Sequence, residues 1–251
     1  MQHIKALGFD LFDTLITVAI PNRLEAPERM LQSLQGQGIA VDATTFFPVY
    51  HEVVTEFLAT ARREGKESHN RFWISTALQR VGQRVEPDDG RIAWAVEAYF
   101  SAFLDYAVAL PGTHALLNTL KQRGYRLGLL SNLTHAPAAR QILAQLDLAS
   151  FFDVLLVSGD LGYRKPHPTV FRRLIASLDT PQEQIAFVGD DVDADIHGAQ
   201  RSGLQPIWTR YAQRQRPPRA PEAISEPSLL PEVPTIDSWD ALLTLLMTEQ
   251  P

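Results

Sequence analysis

The chain of 251 residues contains no cysteine, and this absence excludes several kinds of site. Without thiolates there is no disulfide framework, no cysteine nucleophile and no cysteine-ligated zinc or iron–sulfur centre. Any metal must therefore be held by oxygen or imidazole ligands. A chain without disulfides also suits a reducing compartment, and we expect a cytoplasmic protein.

The chain also lacks a long apolar run and an excess of basic charge. The apolar stretch Ile4–Ile20 is interrupted by Lys5, Asp10 and Asp13, so it fits neither a signal sequence nor a membrane span. The 23 Lys and Arg residues against 29 Asp and Glu residues give a net charge of −6. That balance is not typical of nucleic-acid-binding proteins. We expect neither a membrane nor a nucleic acid as a partner.

Five apolar, strand-like runs alternate with segments of helical periodicity. The runs are Ile4–Phe9, Arg126–Leu130, Val154–Val157, Ile185–Val188 and Gln205–Trp208. The predicted helices are Thr113–Arg123, Ala136–Leu146, Pro168–Leu178, Asp193–Ser202 and Trp239–Met247. This alternation predicts a three-layer α/β fold, in which helices bury both faces of a parallel sheet. Polar residues that follow the strands should converge at the carboxyl edge of that sheet.

Residues 18–109 interrupt the alternation. From about Pro21 to Ala109 the apolar positions recur at helical spacing. A connection of this length with its own apolar pattern predicts an inserted all-helical cap domain, placed as a lid over the sheet edge. Residues 1–17 and 110–251 would then form the core domain. Within that core, the proline-rich segment Arg210–Pro234 predicts a semi-extended surface excursion.

Two motifs follow the first two core strands. In the motif G-F-D-L-F-D-T-L, the strand delivers Asp10 to its tip and Thr14 follows in the turn. A carboxylate there can act as a nucleophile or a metal ligand, although it can also merely cap a turn. Ser131 and Asn132 end the second strand, where a hydroxyl and an amide can donate to anionic oxygens or cap a helix.

Two further motifs lie closer to the carboxyl end of the chain. Lys165, in R-K-P-H-P, can neutralise a phosphate or a nucleophile, or can simply face solvent. The segment V-G-D-D-V-D-A-D holds four carboxylates within six positions, at Asp190, Asp191, Asp193 and Asp195. A divalent cation with oxygen ligands would relieve the repulsion among them.

Taken in this order, the four motifs resemble those of the haloacid dehalogenase (HAD) superfamily of hydrolases. The likeness covers nearly the whole predicted core and is most continuous from Lys165 through Gly203. It implies a Rossmann-like core with the helical insert as its cap. It also implies a magnesium-dependent phosphatase that acts on a small phosphomonoester through an aspartyl-phosphate intermediate.

The resemblance implies a role for each matching residue. Asp10 matches the nucleophile, which Lys165 restrains. The implied substrate-binding residues are Thr14, Ser131, Asn132 and Lys165. The implied magnesium ligands are Asp10, the backbone carbonyl of Phe12, Asp190 and Asp195. Of these, Asp190 matches the principal acidic ligand, whereas Asp195 matches a residue that binds the metal directly or supports another ligand.

Phe12 departs from the family pattern, because phosphatases of this family usually have a second Asp there as the general acid–base. Phenylalanine cannot transfer a proton, and losing such a group typically costs ~10²–10⁴ in rate. Asp13 is adjacent, but in an extended chain it points away from the side shared by Asp10 and Phe12 unless a turn redirects it. The alternative proton donors are polar side chains of the cap: His51, Lys66, His69 and Arg71.

Two other functions remain open at this stage. A metal-independent 2-haloacid dehalogenase suits the bulky ring at Phe12, but without a cation the acidic fourth motif would repel its anionic substrate. A catalytically weak binding protein with the same fold is also compatible with Phe12. The sequence leaves open the substrate, the choice between monomer and homodimer, and the roles of Asp13, Asp191 and Asp193.

Overall fold

The computed structural model describes residues 1–215 and 233–247. Its strands are β1 (Ala6–Phe9), β2 (Ile16–Val18), β3 (Ala107–Ala109), β4 (Arg126–Ser131), β5 (Val154–Val157), β6 (Ile185–Gly189), β7 (Gln205–Thr209) and β8 (Thr235–Ile236). Its α-helices are α1 (Glu25–Gly36), α2 (Ala43–Glu64), α3 (Asn70–Arg80), α4 (Gly90–Tyr106), α5 (Thr113–Gln122), α6 (Ala136–Gln145), α7 (Ser158–Leu161), α8 (Pro168–Leu178), α9 (Gly198–Arg201), α10 (Tyr211–Gln215) and α11 (Trp239–Met247). In this part of the chain no helix is both long enough and apolar enough to cross a bilayer.

Six strands form one parallel sheet in the order β5-β4-β1-β6-β7-β8. Side chains alternate between its faces, so Leu7 and Phe9 of β1 pack under α5, α6 and α11, whereas Ala6 packs under α8 and α9. The structure thus confirms the predicted three-layer α/β core. Because β1 lies inside the sheet, the residue that follows it, Asp10, lies in the middle of the carboxyl edge.

Helices α1 to α4 form the cap and have a hydrophobic core of their own. Met30, Phe46, Ile74, Ile92 and Phe100 are among its buried members. The helical periodicity in the sequence arises from these positions, which face one another rather than the sheet. The predicted helical cap is therefore confirmed.

The junction between cap and core differs from the prediction. Strands β2 and β3 pair antiparallel, with Ile16 opposite Ala109 and Val18 opposite Ala107. The all-helical insert predicted for residues 18–109 included Val18 and residues 107–109, and the prediction is wrong for these residues because they lie in strands. Strands of three residues are too short to show an alternating pattern.

The predicted helix Asp193–Ser202 also differs, because it begins as a π-helix over Val192–His197 before α9. The Asp191 carboxylate caps this segment by accepting from the amides of Asp193 and Ala194. The proline-rich excursion predicted for Arg210–Pro234 begins as the short helix α10. Its residues 216–232 lie outside the described residues.

Gly8 offers a test of how tightly the sheet packs on α8. A Cβ atom at Gly8 would lie 2.6 Å from Phe187 Cδ2 and 2.7 Å from Leu174 Cδ2. We expect Gly8→Ala to lower the free energy of unfolding in urea by about 1–3 kcal/mol through overpacking. Gly36, the last residue of α1, has open space around it, so Gly36→Ala should be neutral or slightly stabilising. Equal stability of the two variants would contradict this packing.

Candidate active site

A buried ion pair lies at the carboxyl end of β1. Lys165 Nζ lies 2.5 Å from Asp10 Oδ1 and 2.7 Å from Asp195 Oδ1. Asp10 is only 7% exposed, and Lys165 and Asp195 are buried almost completely. Burial alone would lower the pKa of Lys165, but the two carboxylates outweigh it and raise that pKa to about 12. The ammonium is therefore charged at any physiological pH.

Thr14 joins Asp10 to the fourth motif. Its buried hydroxyl Oγ1 lies 3.3 Å from Asp10 Oδ2 and 3.4 Å from Asp190 Oδ1. Between Asp10 and Thr14 the chain turns at Asp13, which adopts a left-handed conformation with φ of 56°. Asp13 is therefore not in the extended geometry that would direct its side chain away. Burial is the largest cause of the raised pKa of Asp190, and repulsion from Asp10, Asp195 and Asp13 adds to it.

Three carboxylates share this small volume. Oxygens of Asp10, Asp190 and Asp195 lie within 4.8 Å of one another. Burial, followed by repulsion from Asp10, raises the pKa of Asp190; burial also raises the pKa of Asp195, against the pull of Lys165. With all groups ionised, three carboxylates face one ammonium, which leaves two negative charges unbalanced. A hard divalent cation with oxygen ligands fits this donor set.

The fourth motif directs Asp195 inward and Asp193 outward. Asp195 Oδ2 accepts a hydrogen bond of 3.1 Å from the Asp191 amide. The carboxylate packs on Gly189, where any Cβ atom would run into it, so this position requires glycine. Asp193 is exposed and pairs with Arg201 on the surface at 3.5 Å. The structure thus separates the four neighbouring carboxylates into a capping group (Asp191), a surface group (Asp193), a half-buried group (Asp190) and a buried group (Asp195).

The second motif lies beside Lys165. Asn132 forms two hydrogen bonds with the Lys165 backbone, donating from Nδ2 to the carbonyl at 3.0 Å and accepting from the amide at 2.8 Å. Ser131 is fully buried, and its Oγ makes no hydrogen bond to the described residues. An unsatisfied buried hydroxyl costs about 1–3 kcal/mol, a cost that a polar ligand at Ser131 would offset.

The side chains of the remaining predicted candidates make contacts outside the buried ion pair. The Phe12 ring packs, partly buried, against the main core cluster. His51 is exposed on α2, Lys66 lies 4.0 Å from Glu64, and Arg71 forms a 2.6 Å ion pair with the exposed Asp88. These described contacts link none of the three cap residues to Asp10.

Known proteins of similar sequence identify the family of this chain. A profile of the haloacid dehalogenase-like hydrolase family matches residues 4–203. The chain belongs to this family. It is 28% identical to glyceraldehyde 3-phosphate phosphatase of Pyrococcus furiosus over 85% of this chain and 83% of that protein.

Solved structures of similar fold include two other HAD proteins. A 2-haloacid dehalogenase from Pseudomonas syringae pv. Tomato aligns with a TM-score of 0.66 and 23% identity, covering 97% of this chain and 98% of that one. A magnesium-bound HAD hydrolase from Bacillus subtilis aligns with a TM-score of 0.59 and 21% identity, covering 98% and 99%. At these identities the likeness establishes the fold.

In this HAD hydrolase a chain of hydrogen bonds, here called the histidine chain, links His69, His135 and Glu97 between cap and core. Of these three residues, only His69 was a candidate from the sequence. The Arg71 amide donates to His69 Nδ1 at 3.1 Å, so neutral His69 carries its proton on Nε2. His69 Nε2 lies 3.1 Å from His135 Nδ1, and His135 Nε2 lies 2.9 Å from Glu97 Oε1. No pattern in the sequence relates these residues, because tertiary packing alone brings them together.

The histidine chain predicts an acid-sensitive fold. Burial, then His135 and Arg71, lower the pKa of His69 from 6.5 to about 4. The unfolded chain therefore binds more protons than the folded one between these values, and stability should fall as the pH drops from 6.5 to 4. We expect His69→Asn, which retains a capping side chain, to flatten this dependence in urea unfolding. The exposed control His51→Asn should keep the wild-type slope, and equal slopes for all three proteins would contradict the assignment.

Proposed function

We propose that this HAD hydrolase is a magnesium-dependent phosphatase that acts on a small phosphomonoester through an aspartyl-phosphate intermediate. The observation that carries the proposal is the charge imbalance of the buried site. Three carboxylates lie around one ammonium, and a dianionic phosphate ester would be repelled from such a site unless a divalent cation balanced it. The phosphatase named among its relatives supports the same class of reaction.

The metal would be held by oxygen atoms of the first and fourth motifs. The proposed ligands are Asp10, the carbonyl of Phe12, Asp190 and Asp195. Mg²⁺ is usually bound through one or two carboxylates together with the phosphate of the substrate, which suits a site already rich in carboxylate. When bound, the metal offsets negative charge on the phosphoryl group being transferred.

The phosphate would be held by Lys165 and Ser131. Lys165 supplies a fixed positive charge, and Ser131 supplies a hydroxyl donor that makes no hydrogen bond to the described residues. Asn132 contributes by fixing the Lys165 backbone, and Thr14 by bonding Asp10. Phosphoryl transfer depends mainly on such positioning and charge stabilisation.

Asp10 would act as the nucleophile. One of its carboxylate oxygens would attack phosphorus, and the bond from phosphorus to the ester oxygen would break, which gives the aspartyl phosphate and an alkoxide that takes a proton from water. A water molecule would then attack phosphorus and lose a proton to solvent while the bond from phosphorus to the Asp10 oxygen breaks, so that Asp10 is regenerated and inorganic phosphate is released. The ion pair with Lys165 keeps Asp10 oriented through both steps.

A panel of substrates tests the proposal against its main alternative. Release of phosphate from p-nitrophenyl phosphate and short alkyl phosphates should require Mg²⁺ and should disappear in Asp10→Asn. Asp193→Asn, which alters an exposed carboxylate of the fourth motif, should retain wild-type turnover. Metal-independent release of chloride from 2-chloropropionate would instead establish a dehalogenase, and no turnover of either class would favour a binding protein.

The ring at Phe12 leads us to expect that kcat depends on the leaving group of the substrate. Since its ring cannot protonate a departing alkoxide, Phe12→Asp should raise kcat on alkyl phosphates by up to ~10²-fold and on aryl phosphates by much less. Phe12→Asn is the matched control, because it is polar and of similar size to aspartate but carries no acid. If Phe12→Asp folds but shows no gain in kcat on alkyl phosphates, another residue already supplies the proton. Asp13→Asn then tests Asp13 as that residue.

A further inference from the structure

The connection between α2 and α3 of the cap lies against the loop that carries Lys165. The Arg164 amide donates to the Gly65 carbonyl at 3.0 Å, and the Glu67 amide donates to the Gly162 carbonyl at 3.0 Å. Lys66 and Tyr163 form an antiparallel bridge between these bonds. A short backbone ladder therefore joins the cap to the core directly beside Lys165.

A buried carboxylate strengthens this ladder. The Glu67 side chain is only 2% exposed, and its Oε2 accepts a 2.7 Å hydrogen bond from Ser158 Oγ. Its Oε1 lies 3.5 Å from Arg164 Nη1 and accepts from the Ser68 amide at 3.1 Å. A carboxylate this buried is stable only with such partners, so the Glu67 cluster (Glu67, Ser158 and Arg164) holds together as a unit.

The Glu67 cluster reaches both loops that carry the proposed phosphate-binding groups. Arg164 immediately precedes Lys165. On the other side, Ser158 Oγ accepts from the Leu133 amide at 2.9 Å, and Leu133 follows Ser131 and Asn132. Through Arg164 and Ser158, the Glu67 side chain is thus connected to positions one residue from Lys165 and two residues from Ser131.

We propose that Glu67 is a positioning residue, through which docking of the cap sets the placement of Lys165 and of the Ser131 loop. Without Glu67, the loop around Arg164 would lose its side-chain tie to the cap, and Ser158 would lose one of its partners. The inference rests on the proposed function, since Lys165 and Ser131 matter here as phosphate-binding groups. Substitution of Glu67 should therefore weaken stabilisation of the transition state more than it weakens substrate binding.

Steady-state kinetics test this coupling. Glu67→Gln retains an acceptor for Ser158 but removes the charge that faces Arg164, so we expect kcat to fall about tenfold, and about 100-fold in Glu67→Ala. KM should change by less than about threefold, because the variant weakens positioning in the transition state. Glu67→Asp, which keeps the charge on a shorter side chain, should recover part of the loss. The matched control is Glu56→Gln in α2, which breaks an exposed ion pair with Arg80 and should leave kcat unchanged.

Hydrogen exchange provides a readout that does not depend on turnover. In Glu67→Gln we expect faster exchange of the amides of residues 158–167, including that of Arg164, and unchanged exchange in the core of the cap. The coupling is refuted if these amides and kcat match the wild type, or if exchange rises uniformly through the cap. Should Glu67→Ala fail to fold, Glu67→Gln decides. If the wild-type protein lacks phosphatase activity but Glu67→Gln still shows faster exchange in residues 158–167, the proposed function is refuted and the coupling between cap and loops is supported.

Discussion

The rest of the site depends on one buried ion-pair triad, in which Lys165 Nζ lies 2.5 Å from Asp10 and 2.7 Å from Asp195. Its three members come from segments far apart in the chain, and only the parallel sheet brings them to one edge. Removing Lys165 would leave both carboxylates without a positive partner in the interior. The surrounding features follow from this need, since Asn132 fixes the lysine backbone and Gly189 makes room for the Asp195 carboxylate.

The same contact also leaves a charge imbalance that gives the site its proposed chemistry. Lys165 offsets one carboxylate, whereas Asp190 adds a further negative charge at its edge. The site is costly for the protein alone, because burial first, and then repulsion from Asp10, raises the pKa of Asp190. It becomes favourable when a divalent cation enters, because the cation and Lys165 then attract an anionic phosphoryl group together.

Most of the core could be predicted from the sequence, because buried parallel strands appear as continuous apolar runs and the site residues follow directly after them. The rest depends on tertiary contacts. Ser131 and Asn132 suit a helix cap as well as a site, but α6 begins only after His135, so neither caps it. Glu67 meets Ser158 across 91 positions, so no local pattern could indicate this contact.

The histidine chain narrows the search for a proton donor that replaces the missing aspartate at Phe12. Each ring nitrogen of His69 and His135 is already engaged, from the Arg71 amide through to Glu97, and the direction of the chain fixes both neutral tautomers. Neither ring can then protonate a leaving group without breaking a contact of the histidine chain. Asp13 differs, because it lies in the core, in a left-handed turn between Asp10 and Thr14. Among the candidates considered from the sequence, it is the one that belongs to the same turn as Asp10.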